Sequence, residues 1–131
     1  MASKGVDPPA ARLLSRRFIG RDEASGAMVI AYVATADFTN RHGTVQGGFL
    51  AAMLDSATAY ALLAELPERK SAVTKRLEID FQAPARPGDL IASVTVVARD
   101  LRRATVEATL RDVRQAVVAK ARAELRIVSR Q

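Results

Sequence analysis

One stretch constrains this chain more than any other. From Gly47 to Ala64 it reads Gly-Gly-Phe-Leu-Ala-Ala-Met-Leu-Asp-Ser-Ala-Thr-Ala-Tyr-Ala-Leu-Leu-Ala, and Asp55 is the one carboxylate in it. A helix that is apolar all round is a buried helix. The run is long enough to suggest a membrane span, but Asp55, Ser56 and Thr58 lie near its centre and the mean hydropathy of the chain is only +0.02, which favours the interior of a soluble domain. The helix is expected over about Gln46 to Glu65, stopped by Leu66-Pro67.

Nearly everything else reads as strand. Apolar segments from Arg16 to Thr35 flank Glu23–Gly26, with Ala27 to Ala34 rich in β-formers, and predict a hairpin. Asp37 to Gly43 is a polar loop. Lys75 to Phe81 alternates Leu77, Ile79 and Phe81 with Arg76, Glu78 and Asp80, the period of a half-buried strand. After a turn at Pro84–Asp89, strands are expected at Leu90 to Ala98, Ala104 to Leu110 and Ala116 to Ile127, punctuated at Arg99–Arg103 and Asp112–Gln115. One long helix inserted into five to six antiparallel strands is an α+β pattern, with the helix on the concave face of a curved sheet. Residues 1–15 read as an N-terminal arm carrying Pro8 and Pro9, with no chemistry of its own, and 16–131 as one domain.

Counting excludes several chemistries. The chain has no cysteine, so disulfides, thiolate metal sites and a Cys nucleophile are ruled out. His42 is the only histidine, too few for a His-rich metal centre. The net charge of +6 favours anionic partners. The basic residues are scattered, aromatics are sparse and no nucleic-acid motif appears, so a phosphorylated small molecule is a better partner than DNA or RNA. Met1 to Ala11 lacks an apolar signal core; a cytoplasmic protein without a membrane partner is expected.

On a helical wheel of about 100° per residue, Leu50, Met53, Leu54, Ala57, Ala61 and Ala64 fall on one side, while Gly48, Ala51, Ala52 and Ala59 flank Asp55 on the other with Leu62 beside them. Small residues around the acid let a second backbone or a ligand approach it. A buried unpaired carboxylate is costly and Asp is a mediocre helix former, so Asp55 is either paired, to backbone amides or an arginine, or used. Gly47 and Gly48 open the helix, where unpaired N–H groups can polarise a carbonyl; a tight turn is the plainer role for such glycines.

The run Asn40-Arg41-His42-Gly43-Thr44-Val45-Gln46-Gly47-Gly48, followed by Ala51-Ala52-Met53-Leu54-Asp55, resembles the hotdog thioesterases of the phenylacetate-degradation type, in the 4-hydroxybenzoyl-CoA thioesterase superfamily. Their pattern is an Asn, a loop, His-Gly-Gly and an acid on the central helix, fifteen residues after the Asn and eight after the first Gly; Asn40, Gly47 and Asp55 keep both spacings. Phe81 to Asp89 matches the family's strand-Pro-turn-Gly passage, and the likeness runs from about residue 16 to 128. One position departs: Gln46 stands where the family usually has His.

The resemblance implies a hotdog fold, a long central helix wrapped by a curved antiparallel sheet, and hydrolysis of aryl or medium- to long-chain acyl-CoA to free acid and coenzyme A. Coenzyme A is then part of the substrate and no cofactor is needed. The Gly47 N–H, helped by Gly48, would polarise the thioester carbonyl, and Asp55 of the neighbouring subunit would act as nucleophile or general base. Asn40 would hold the water or carbonyl, Gln46 would orient the loop in place of His, and Thr74 would position the attacking water unless it is an ordinary strand residue. His42 reads as a loop residue beside the substrate, and Arg102 and Arg103 as contacts for the coenzyme A phosphates. A non-catalytic acyl-CoA-binding hotdog protein is the alternative that Gln46 motivates. A hotdog hydratase would need a His after the acid, and none follows Asp55. Self-association is expected, because a lone hotdog leaves an edge strand and the acid face of its helix uncovered: a homodimer, pairing again into a homotetramer.

Overall fold

The computed structural model describes residues 6–130. A short helix, α1 (Pro9–Leu13), leads to strands β1 (Arg17–Arg21) and β2 (Met28–Ala34); a 3-10 turn at Ala36–Phe38 and a loop precede the long helix α2 (Gly47–Leu63). Then come β3 (Lys70–Phe81), β4 (Gly88–Arg99), β5 (Arg103–Arg111) and β6 (Val117–Ser129). The six strands form one antiparallel sheet in the order β1-β2-β4-β5-β6-β3. This order explains the helix. The chain leaves β2 near one edge, must reach β3 at the other, and crosses the sheet face as α2, which touches β2, β3, β4, β5 and β6 on the way. The hotdog architecture expected from the sequence is the one observed.

Alternation buries one face of each central strand. Met28, Ile30 and Tyr32 of β2, Leu90, Ala92 and Val94 of β4, Ala104, Val106, Ala108 and Leu110 of β5, and Ala121, Ala123, Leu125 and Ile127 of β6 are all buried, while Lys120, Arg122, Glu124 and Arg126 point to solvent. Five of these inward residues are alanines, so the sheet leaves room for α2 to lie close against it. From the helix side Leu50, Met53, Leu54, Ala57 and Ala61 fill that space. Leu62 departs from the wheel: it is fully buried and joins the main core although it lies near the azimuth of Asp55. The helix apolar all round is therefore covered on one side only, and along the first three turns its acid side stays open.

The segments differ from expectation mainly in β3, which begins at Lys70 rather than Lys75. A bulge explains this. Thr74 pairs with Leu125 and Arg76 with Glu124, leaving Lys75 as the extra residue. The simple parity of Leu77, Ile79 and Phe81 would send Thr74 to solvent with Arg76 and Glu78. The bulge shifts the phase by one, so Thr74 lies opposite core-facing Leu125 and points toward the helix. The arm also does more than the sequence suggested: Ala11 and Leu14 are buried, and Leu14 joins the main core.

Candidate active site

Asp55 projects from the middle of α2 toward β3, where the Thr74 hydroxyl donates to its Oδ1 at 2.8 Å. The carboxylate is half-buried and borders a cavity of about 730 Å3 whose other walls include Ala52, Ala59, Leu63 and Ala72. Of the small residues expected around the acid, Ala52 and Ala59 thus frame open space, while Gly48 and Ala51 do not line it. The bulge at Lys75 creates the Thr74 contact, which engages Oδ1.

The same cavity holds a polar cluster absent from the expectations. Arg16, just ahead of β1, extends beneath the helix with its side chain only 10% exposed. Its Nη1 donates to Ser56 Oγ at 3.2 Å, its Nη2 pairs with Asp7 Oδ1 at 3.0 Å, and its guanidinium lies 4.1 Å from the centre of the Tyr60 ring. The buried Tyr32 hydroxyl donates to Ser56 Oγ at 3.1 Å. Burial pushes the Tyr32 phenol above its ordinary value, against the pull of the Ser56 hydrogen bond and of Arg16, so it is a neutral donor. Burial raises Tyr60 as well. Ser56 and Tyr60 are four residues apart on one helix face, a spacing that marks them as neighbours in the sequence itself.

At the start of α2, Gln46 occupies the N-cap position without a side-chain cap, and among the described residues the backbone N–H groups of Gly47 and Gly48 make no hydrogen bond. Gly47 faces the ring of Phe81, on which an added Cβ would rest at 3.5 Å. A second cavity, about 320 Å3, opens here between Gly47, Leu50, Phe81 and Pro84. Stacking of Phe38 on Phe49, with centroids 4.2 Å apart, and the bond from Gln46 N–H to Phe38 C=O fix the entry to the helix.

The remaining expected residues do not gather around Asp55. Asn40 Oδ1 accepts from His42 N–H, Thr44 N–H and the Thr44 hydroxyl, so it shapes the 40–44 loop, whose Gly43 has φ +80°. His42 and Gln46 are exposed. Arg102 and Arg103 lie at the β4–β5 turn, where their backbone N–H groups bond Asp100 and hold that carboxyl below its usual range. An ion pair between Arg99 and Glu65 at 3.3 Å ties this turn to the far end of α2, away from Gly47.

Comparison with known proteins bears on the fold and the family. Residues 42–119 match the family model described as the thioesterase superfamily. Of solved structures, a phenylacetic acid degradation-related protein of Ralstonia eutropha JMP134 superposes with a TM-score of 0.87 at 33% identity, over 93% of this chain and 92% of its own. The PaaI protein of the E. coli phenylacetic acid degradation operon gives 0.83 at 26%, over 95% and 88%. The BH2602 protein of Bacillus halodurans, solved with CoA, gives 0.82 at 24%, over 94% and 78%. No curated protein matches. The chain belongs to the thioesterase superfamily, and thioester hydrolysis is the class of reaction this membership supports. Among the described residues no helix is long and apolar enough to cross a membrane.

Proposed function

We propose that the protein hydrolyses acyl-CoA thioesters at sites shared between two subunits. The observation that carries this is the separation of the two halves of the machinery. Asp55, held by Thr74, lies eight residues from Gly47 and seven from Gly48 on one helix, about 10 to 12 Å along its axis and too far for the acid and their N–H groups to act on one thioester carbon. Each half borders its own cavity. A second subunit joins them.

The edge strand β3 supplies the means. It is twelve residues long and is an outer strand of the sheet with Val73 and Phe81 exposed, whereas the other edge, β1, is five residues long, bulged and ends in Arg17 and Arg21. Antiparallel pairing of two β3 strands about a two-fold axis near Leu77–Glu78 lays the Phe81 end of one subunit, with its Gly47, against the Thr74 end of the other, with its Asp55. In that arrangement the Gly47 N–H binds the thioester oxygen. Asp55 takes a proton from water as its oxygen attacks the carbonyl carbon; the oxyanion collapses, the C–S bond breaks, and the proton passes to the departing thiolate. In the nucleophilic variant the carboxylate attacks first and water opens the resulting anhydride. Coenzyme A as the thiol accords with the net charge of +6 and with a protein of the same fold solved with CoA.

Thiol release from a panel of acyl-CoAs tests the reading: wild type turns over, and Asp55→Asn and Asp55→Ala fall about a thousandfold. Inert wild type sinks it and favours an acyl-CoA-binding protein, the alternative to which the exposed, non-titrating Gln46 points. Mixed dimers test the shared site. Proline is tolerated at the first helical position and lacks the N–H, so Gly47→Pro removes the donor while keeping the helix. Equal mixing of Gly47→Pro and Asp55→Asn subunits, each inactive alone, restores about a quarter of wild-type activity, since half the dimers are mixed and each has one intact site. No recovery in verified mixed dimers would place both halves within one subunit.

A further inference from the structure

Resting on the hydrolytic reading above, we infer that Arg16 selects the substrate: the acyl group carries a carboxylate at its far end, which the Arg16 guanidinium receives inside the cavity that Asp55 borders. A buried arginine beside a catalytic acid needs a reason, since an aliphatic acyl pocket gains nothing from a desolvated cation. The structure already shows what this cation accepts. Asp7 reaches in from the arm and offers Arg16 a carboxylate from the cavity side, through one oxygen only, at 3.0 Å from Nη2.

That pairing is incomplete. A guanidinium binds carboxylate best through two parallel N–H bonds, and here one nitrogen goes to Asp7 and another to Ser56. The Asp7 side chain is 45% exposed, so solvent can take it over when it leaves, while Arg16 is held in place by Ser56 and by the Tyr60 ring. The fixed partner is the cation and the replaceable one is the anion. The cavity that Arg16 and Asp55 share is lined also by Ala52, Ala59 and Leu63, suited to the methylenes of a short chain. Ser56 adjoins Asp55 in sequence, so the cation sits a few carbon atoms from the reacting carbonyl. A short dicarboxylic acyl group, joined to coenzyme A through one end, fits these constraints.

The experiment compares adipyl-CoA with hexanoyl-CoA, equal in length and differing in the terminal carboxylate, on wild type, Arg16→Met, Arg16→Lys, Asp7→Asn and, as a charge control on the exposed sheet face, Arg122→Met. The expected kcat/KM ratio of adipyl to hexanoyl is about ten or more in wild type and Arg122→Met, falls to about one in Arg16→Met and to an intermediate value in Arg16→Lys, and rises in Asp7→Asn, where the internal competitor has lost its charge. A wild-type ratio at or below one overturns the inference. So does an equal fall of both substrates in Arg16→Met, which would make Arg16 a peg for the arm. Should Arg16→Met fail to fold, Asp7→Asn decides: an unchanged ratio overturns, a raised one supports. Calorimetric binding of both thioesters to the Asp55→Asn protein separates this inference from the hydrolytic reading. If wild type hydrolyses neither, the reaction is refuted, yet binding of adipyl-CoA about tenfold tighter than hexanoyl-CoA upholds the role of Arg16, and equal binding refutes that too.

Discussion

The face of α2 that carries Leu50, Met53, Leu54, Ala57 and Ala61 is packed dry against the sheet, whereas the face that carries Ala52, Asp55, Ser56, Ala59 and Tyr60 borders a cavity of about 730 Å3. Neighbouring residues on one helix thus answer to different physics. On the first face every methylene has partners and its loss leaves a void. On the second Ala52 and Ala59 leave space beside the acid, and the polar groups are held by hydrogen bonds from β2, β3 and the segment before β1.

Two adjacent positions give the sharpest contrast. Asp55→Asn keeps the shape and is expected to lower turnover about a thousandfold while moving the unfolding midpoint little. Leu54→Ala is expected to cost about 3 kcal/mol of stability, a fall in Tm of roughly 10 °C, with kcat of the remaining folded protein near wild type. Thiol release and thermal unfolding measured on both variants check the division. A large stability loss in Asp55→Asn would mean that the acid is a structural residue paired to Thr74.

Thr74 probes the border between the two regimes. Its hydroxyl donates to Asp55 Oδ1, so Thr74→Val removes one bond to a carboxylate without changing shape, with an expected loss of about 10- to 30-fold in kcat/KM. Thr74→Ser restores the hydroxyl and should return activity to within about threefold of wild type. Equal losses in Ser and Val variants would assign the effect to the strand rather than to the bond.

How much of this was readable in advance follows the range of the contacts involved. Asp55 and the Gly47-Gly48 pair are legible because a helix is periodic and one charge on an apolar helix is conspicuous. The α+β class is legible from a single helix set among strands, and the hotdog fold from the resemblance that Asn40 to Asp55 carries. Thr74 facing Asp55 is not a local property: it depends on the bulge at Lys75, and alternation alone puts Thr74 on the solvent side. The Arg16, Tyr32 and Ser56 cluster joins residues 24 and 40 positions apart, which no local pattern announces. Asn40 shows the opposite case. Its place in the motif was legible, and the structure adds that its Oδ1 is committed to shaping the loop.

The smallest expected effect lies where the two faces meet. Tyr32 is fully buried in the sheet, yet its hydroxyl reaches Ser56 on the cavity side. Tyr32→Phe keeps the ring and deletes that bond, at an expected cost of about 1 kcal/mol near pH 8, read from urea unfolding. The sign of its pH dependence follows from the raised phenol. In the unfolded chain the phenol ionises near its ordinary value of 10.0, and in the folded chain only above that. Its contribution is therefore fully present below about pH 10 and is lost as the pH rises toward the folded value, because the unfolded state gives up its proton first. Phe has no proton to lose, so the stability gap between wild type and Tyr32→Phe should narrow between about pH 8 and pH 10.5. A gap that stays constant would mean that water reaches the phenol in the folded protein, and that the dry face of α2 ends short of Tyr32.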